Sequence, residues 1–300
     1  MINSIVRKGL LPVLAVGFLL LGQSAVAAEM KCKECHEGQV TSFQGSHHAK
    51  SWGDSHSCEA CHGATDAHIK AGGGKETIIS FAKKSAQSAE AQSKQCLTCH
   101  ATMKALQFWT MGKHKQNGVS CASCHQTHGG KMAEKPKAET CLACHKDIKS
   151  QLNKSSHHPV IEGKVSCADC HNPHGSPTHG MLKADNVNQL CYKCHADKRG
   201  PFLWEHSPVE ENCLACHTPH GSQHAKLLTA RAPQLCENCH SGAHGAGANP
   251  DGNQAFGKPT RFKQVFGRAC LNCHNHIHGS MAPHDAQNNG EYTSGKYLVR

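Results

Sequence analysis

All twenty cysteines of this 300-residue chain fall in ten C-x-x-C-H pentads. The pairs are Cys32 and Cys35, Cys58 and Cys61, Cys96 and Cys99, Cys121 and Cys124, Cys141 and Cys144, Cys167 and Cys170, Cys191 and Cys194, Cys213 and Cys216, Cys236 and Cys239, and Cys270 and Cys273. The histidines that close them are His36, His62, His100, His125, His145, His171, His195, His217, His240 and His274. A thioredoxin-like redox pair or a zinc ribbon needs C-x-x-C without that histidine. A disulfide framework would not place a histidine after every second cysteine. C-x-x-C-H is the attachment signal for c-type haem. Two thiols add to the vinyl groups of the haem, and the adjacent imidazole ligates the iron from one face. The pentads therefore predict ten covalently bound haems c.

Composition agrees with an interior built of more than side chains. Hydrophobic residues are 38% and aromatics 5% of the chain, and mean hydropathy is −0.53. That is little apolar material for a core of this length. The same figures exclude a typical α/β enzyme, a coiled coil and a polytopic membrane protein.

The N-terminus reads as an export signal. Arg7 and Lys8 precede an apolar run of 14 residues, Gly9 to Gly22, and Ala25-Val26-Ala27 has the small-residue cleavage pattern. The run is shorter than the roughly 20 residues of a membrane-spanning helix. We expect a cleaved signal peptide over 1–27 and a periplasmic mature chain.

Each iron needs a ligand on its second face, and seventeen further histidines are available. The pentads recur as pairs: the openings Cys96/Cys121, Cys141/Cys167 and Cys191/Cys213 lie 25, 26 and 22 residues apart. Successive pairs from Cys96 to Cys236 open 45 to 50 residues apart, an internal repeat. Within it two histidines keep their places. One lies between the pentads of a pair: His47, His114, His158, His206 and, in the last pair, His244. The other follows the second pentad: His68, then His128 in CASCHQTH, His174 in CADCHNPH, His220 in CLACHTPH and His278 in CLNCHNHIH. These ten match the ten irons, giving bis-His coordination throughout. A histidine three residues after a proximal ligand points away from its own haem, so it is expected to serve a neighbour. Adjacent residues leave His47 open against His48 and His157 against His158; His158 is favoured because it directly precedes Pro159. The surplus set is His48, His56, His157, His179, His224, His276 and His284. No methionine keeps a fixed offset from the pentads.

Secondary structure is weakly specified: short helices over Ala89 to Trp109 and Thr140 to Asn153, long irregular stretches and almost no sheet. Ala71 to Gln95 reads as a polar connector, and Gly242 to Gly257 as a Gly/Asn-rich loop. Gly72-Gly73-Gly74-Lys75 lacks the G-x-x-x-x-G-K-[ST] frame of a phosphate-binding loop. The formal charge of +10 includes Arg7 and Lys8 of the leader and omits the haem propionates. With those counted, the holoprotein runs from roughly −2 oxidised to roughly −12 reduced. Lys and Arg therefore read as propionate partners, and no nucleic-acid surface is expected.

Ten pentads in paired spacing, CADCHNPHGS, KRGPFLWEHSPVEENCLACHTPHGS, RAPQLCENCH and the closing CLNCH…HGS resemble the MtrA/DmsE-type periplasmic decahaem cytochromes of outer-membrane porin–cytochrome conduits. The likeness runs from about Cys32 to Met281 and is strongest from Cys141 onward; the tail from Ala282 to Arg300 departs from it. The resemblance implies a multihaem cytochrome c, mainly irregular with short α-helices. It implies an elongated haem wire of two tandem pentahaem modules, 28–155 and 156–300. It also implies an outer-membrane β-barrel porin around the wire, and the family's axial histidines fall on the ten distal positions named above. A periplasmic or inner-membrane cytochrome would stand on one side of it, and an extracellular multihaem cytochrome or terminal reductase on the other.

Saturation of every iron argues for electron transfer rather than catalysis. No pentad replaces its histidine by lysine, the change that marks the catalytic haem of multihaem nitrite reductases. The expected role is an electron conduit between periplasm and cell exterior, for reduction of an outside acceptor or oxidation of iron(II). The alternatives are a periplasmic electron shuttle without a porin, and a multihaem reductase with one open iron.

Overall fold

The computed structural model describes residues 32–52, 58–82, 85–129, 137–203, 205–240, 270–272 and 274–281. The leader, Cys273, His56, His244, His284, the loop over 242–257 and the tail from 282 lie outside them.

The pentad itself is the unit of local structure. In eight of them the histidine N–H donates to the carbonyl of the first cysteine four residues back, from His62 N to Cys58 O (2.9 Å) through to His274 N to Cys270 O (2.8 Å). The other two lie in longer helical stretches, one over residues 32–44 and one over Ala89–His100. One helical turn places positions i, i+3 and i+4 on a single face. Both thiols and the imidazole of each fully described pentad therefore start from one side of one turn.

Caps fix where these turns begin. Ser88 Oγ accepts from Ala91 N (3.1 Å) and starts the helix Ala89–His100. Ser166 and Asp169 cap Cys167–Cys170 reciprocally, with Ser166 N donating to Asp169 Oδ2 (2.8 Å). Asn186 Oδ1 accepts from Gln189 N (2.9 Å) at Val187–Cys191. The expected helix over Thr140 to Asn153 is split into Ala138–Leu142 and Lys146–Leu152, because His145 leaves helical geometry at φ −81°, ψ 70°. Ala89 to Trp109 likewise breaks after His100, and short 3-10 turns follow at Lys104–Leu106 and Trp109–Met111.

Sheet is almost absent among the described residues. β1 (Ser156–His157) pairs antiparallel with β2 (Gly221–Ser222), joining Ser156 to Ser222 and His157 to Gly221. Gly221 lies so close to the Gln151 carbonyl that a Cβ would collide with it. Only four apolar side chains are buried among the described residues: Val40, Trp109, Leu142 and Leu152.

The chain forms two compact units, Met1–Glu134 with Pro173–Pro177, and Lys135–Asn172 with Thr178–Arg300. Their division differs from the expected boundary at residue 155, since the fifth pentad, opening at Cys141, falls in the second unit. Local packing explains the short excursion of Pro173–Pro177. Pro173 O accepts from His114 Nδ1 (2.8 Å), and Gly175, at φ 113°, lies on the Phe108 carbonyl and the Gly112 backbone.

Within a pair, a polar side chain three residues before the first cysteine ties the two pentads together. Buried Ser93 Oγ accepts from Cys121 N (3.4 Å). Buried Asn188 does more: Oδ1 accepts from Cys213 N (2.8 Å), and Nδ2 donates to Val209 O (2.8 Å) and Glu210 O (2.9 Å). Asn188→Ala strands one buried N–H and two carbonyls, and should cost about 2–3 kcal/mol in denaturation of the holoprotein. A loss under about 0.5 kcal/mol would show that the pentads are held together by other means.

Candidate haem-ligating sites

The helical turns deliver each proximal imidazole to one side of a gap, and a second histidine stands across it. His36 faces His68 with ring centroids 6.0 Å apart, and His62 faces His128 at 6.0 Å. His100 faces His48 at 6.0 Å, and His125 faces His174 at 5.9 Å. In the second unit His171 faces His220 at 6.1 Å, His195 faces His158 at 6.3 Å, His217 faces His278 at 6.1 Å and His240 faces His206 at 6.1 Å. An imidazole nitrogen binds a metal ion such as zinc at about 2.0–2.1 Å, so two rings on opposite sides of one ion have centroids about 6 Å apart. Ordinary aromatic contacts spread over about 4.5–7 Å. The narrow range, with one pentad histidine in every pair, fits a shared ion. The rings turn freely about the metal–nitrogen axis, so interplanar angles from 16° to 75° are compatible with it.

The donor set identifies what kind of ion complex fits. Among the described residues no group of three or more His, Cys, Asp or Glu side chains is placed to hold a bare metal ion. Two imidazoles are therefore what the described residues offer, and a porphyrin would supply the remaining nitrogen ligands. The nineteen described cysteines are half-buried or exposed thiols, placed for thioether links. Trp109 Nε1, on a buried indole 6.4 Å from the His174 ring, has no hydrogen-bond partner. A haem propionate is the kind of acceptor such a donor requires.

The thiols themselves form a chain of neighbours. Within pairs, the first cysteines meet: Cys96 with Cys121, Cys191 with Cys213 and Cys236 with Cys270 share side-chain hydrogen bonds. Between pairs, second cysteines lie close together: burial first and then a neighbour raises the pKa of Cys61 (Cys99), Cys170 (Asp169, then Cys194) and Cys216 (Cys239). In the first contact the hydrogen bond lowers Cys121 to about 6 and raises Cys96.

At five second-face imidazoles burial favours the neutral form, the one that binds metal. It is the first cause lowering the pKa of His48, His128, His206, His220 and His278. A neighbouring charge adds to it: His100 for His48, His62 for His128, His240 for His206, His171 for His220, and Lys198 then His217 for His278.

Two adjacent-histidine ambiguities are separated by geometry. His157 is engaged at both nitrogens, Nδ1 to Lys154 O (2.7 Å) and Nε2 to Glu162 Oε1 (2.9 Å), while the next ring, His158, faces His195. At the other pair the structure corrects the sequence reading: His48, not His47, stands opposite His100. Both begin the helix His47–Trp52, where successive side chains diverge by about 100°. One ring can face inward; His47 is exposed and His48 half-buried. A signal was available, since His48 and His158 are each the member nearer the following pentad.

Hydrogen bonds from the protein orient several rings. His68 Nδ1 contacts Gly74 O (3.0 Å) and Thr77 Oγ1 (3.1 Å). The turn that supplies Gly74 O has φ of 70°, 122° and 104° at Gly72, Gly73 and Gly74, values that favour glycine. The glycine run thus serves a histidine, not a phosphate. His114 keeps its bond to Pro173 O, and His62 Nδ1 contacts Ile79 O (2.8 Å). Sequence reasoning missed these carbonyls, Ser93 and Asn188.

The sites define a multihaem c-type cytochrome. Comparisons with known proteins agree: residues 157–200 and 206–245 match the doubled CXXCH motif, and residues 58–135 match the cytochrome c-type protein NrfB-like family. The chain is 43% identical over 280 residues to the multiheme cytochrome MtrA of Shewanella baltica (strain OS185), covering 90% of this chain and 80% of that protein. This chain belongs to the MtrA family of multihaem cytochromes. It carries covalently bound haem c and is an electron-transfer protein, not an enzyme.

His48→Met in the holoprotein should raise the potential of one haem, because thioether ligation favours reduced iron. His47→Met should leave every haem unchanged. A redox titration that moves for His47→Met and not for His48→Met would reverse the assignment.

Proposed function

We propose that this chain is a periplasmic decahaem cytochrome that passes electrons between periplasmic carriers and the cell exterior, inside an outer-membrane β-barrel porin. The observation that carries this reading is the opposition of imidazoles: eight pentad histidines each face a second ring at 5.9–6.3 Å. An iron held between two such imidazoles would have no position left for a substrate.

The pairings follow a rule that extends to the full set. A histidine between the pentads of a pair faces the first pentad of the next pair, as His48, His158 and His206 do. One that follows a second pentad faces the second pentad of the preceding pair, as His128, His174, His220 and His278 do. At the start, where no pair precedes, His68 closes on His36. We assign the remaining first-role histidines, His114 and His244, as second-face ligands of irons not covered by these eight pairs. Ten haems c then hang from twenty thioethers with twenty imidazoles. Each bound haem would supply an iron that gains and loses one electron without exchanging ligands. The chain's part is to keep those ligands neutral and fixed, and to set the thiol anchors of neighbouring pentads side by side.

Partners follow from the solvent problem. No helix among the described residues is long and apolar enough to cross a membrane. Polar, irregular backbone cannot face lipid, because its amide and carbonyl groups would go unpaired. A wire crossing the outer membrane must be sheathed, and a closed β-barrel porin can do so. A periplasmic or inner-membrane cytochrome would meet one end, and an extracellular multihaem cytochrome or terminal reductase the other. Relationship to an MtrA cytochrome supports this arrangement.

Reconstitution tests it. The holoprotein alone should carry no electrons into liposomes. With its porin it should reduce a membrane-impermeant acceptor across the bilayer and become protected from external protease. If deleting the porin leaves extracellular electron transfer intact, the protein is a periplasmic shuttle instead.

A further inference from the structure

Two loops, 46 residues apart in the chain, repeat one unusual backbone feature beside a proximal histidine. After the pentad that ends at His171, the chain returns so that His171 bridges Leu182; Asn172 N donates to Met181 O (2.7 Å) and Lys183 N to Cys170 O (2.9 Å). After the pentad that ends at His217, His217 bridges Leu228; Thr218 N donates to Leu227 O (2.8 Å) and Thr229 N to Cys216 O (2.8 Å). In each loop the two residues before the bridge are left-handed: Gly180 at φ 70° and Met181 at 53°, Lys226 at 60° and Leu227 at 58°. Met181, Lys226 and Leu227 are the only non-glycine residues with positive φ among the described residues. L-residues adopt that region at a steric penalty.

What the turn delivers is the same both times. Gly180 O lies 2.7 Å from His171 Nδ1, and Lys226 O lies 2.8 Å from His217 Nδ1, each nine residues after the histidine. The strained residues are pinned from outside the turn as well, since Leu227 N donates to Ser156 Oγ (2.9 Å). Packing does not require glycine at 180: a Cβ there would have Leu182 Cδ2 as its nearest neighbour, at 3.9 Å. His100 differs. It ends the first pentad of its pair, and its Nδ1 faces the thioether of Met103 (2.7 Å), a weak acceptor.

We propose that the left-handed turns Gly180-Met181 and Lys226-Leu227 are positioning elements that set the redox potential of the irons bound by His171 and His217. A carbonyl held on Nδ1 fixes the ring tautomer, so that Nε2 faces the metal, and makes the imidazole a stronger electron donor. Stronger donation favours ferric iron and lowers the potential. The irons of His171 and His217 are therefore poised below the iron of His100. The residues act through the imidazole and do not touch the iron.

The test uses the holoprotein and two substitutions at one position. Valine avoids positive φ, so Lys226→Val should turn the carbonyl away. We expect one haem to rise in midpoint potential with its low-spin spectrum kept. One slowly exchanging histidine Nδ1–H resonance of the reduced, ¹⁵N-histidine-labelled protein should be lost. Lys226→Gly adopts the turn without penalty and should change neither. Met181→Val asks the same question of His171 should Lys226→Val fail to accumulate. The proposal rests on His217 and His171 binding iron. If His217→Met moves no potential, that ligation is wrong; if His217→Met moves one potential and both valine variants move none, ligation stands and the positioning role is wrong. A uniform shift of all haems by Lys226→Val, or an equal shift by Lys226→Gly, also overturns it.

Discussion

Opposition of two imidazoles across a metal-sized gap is the interaction on which the rest of this structure depends. The paired rings lie far apart in sequence: 49 residues separate His125 from His174 and His171 from His220, and 66 separate His62 from His128. A hydrophobic core would normally hold such distant segments together, but the described residues bury only Val40, Trp109, Leu142 and Leu152 among apolar side chains. In the proposed reading, ligation takes its place. When a metal group binds only the folded chain, its binding energy is folding energy. Long connections are inexpensive in this scheme, since each doubling of loop length costs only about 0.6 kcal/mol of closure entropy.

The forward and backward roles of the second-face histidines give the architecture its continuity. The pair of pentads opening at Cys141 sets one imidazole, His158, opposite the pair after it and one, His174, opposite the pair before it. Thiol contacts follow the same order, first cysteines meeting within pairs and second cysteines between them. A sequence repeat of 45 to 50 residues thus becomes a succession of sites in which no pair is complete by itself. This is the logic of a repeat protein, with ligands in the role that packed helices play elsewhere.

Much of this was legible because the chemistry is local. C-x-x-C-H occupies one helical turn, so contiguous residues announce the cofactor, its anchors and its first ligand. The repeat picked out His68, His128, His158, His174, His206, His220 and His278, which stand opposite pentad histidines, and the three-residue offset in CADCHNPH and CLACHTPH directed His174 and His220 to neighbouring pentads. What stayed hidden depends on backbone direction. His48 replaces His47 because of where a helix His47–Trp52 turns its face. The carbonyls of Gly180 and Lys226 reach Nδ1 only because two residues in each loop take positive φ, and nothing in Lys226-Leu227 signals that conformation. Ser93 and Asn188 share a place three residues before a cysteine but not a residue type, so their common bond to the next pentad emerges only in three dimensions.

The central claim is that paired imidazoles close every iron. Near-infrared magnetic circular dichroism of the fully oxidised holoprotein, scaled to its iron content, measures this directly. The account predicts low-spin ferric bis-imidazole bands accounting for all the iron, ten atoms per chain. A high-spin ferric signal, or a histidine–methionine band, amounting to one iron per chain would contradict it.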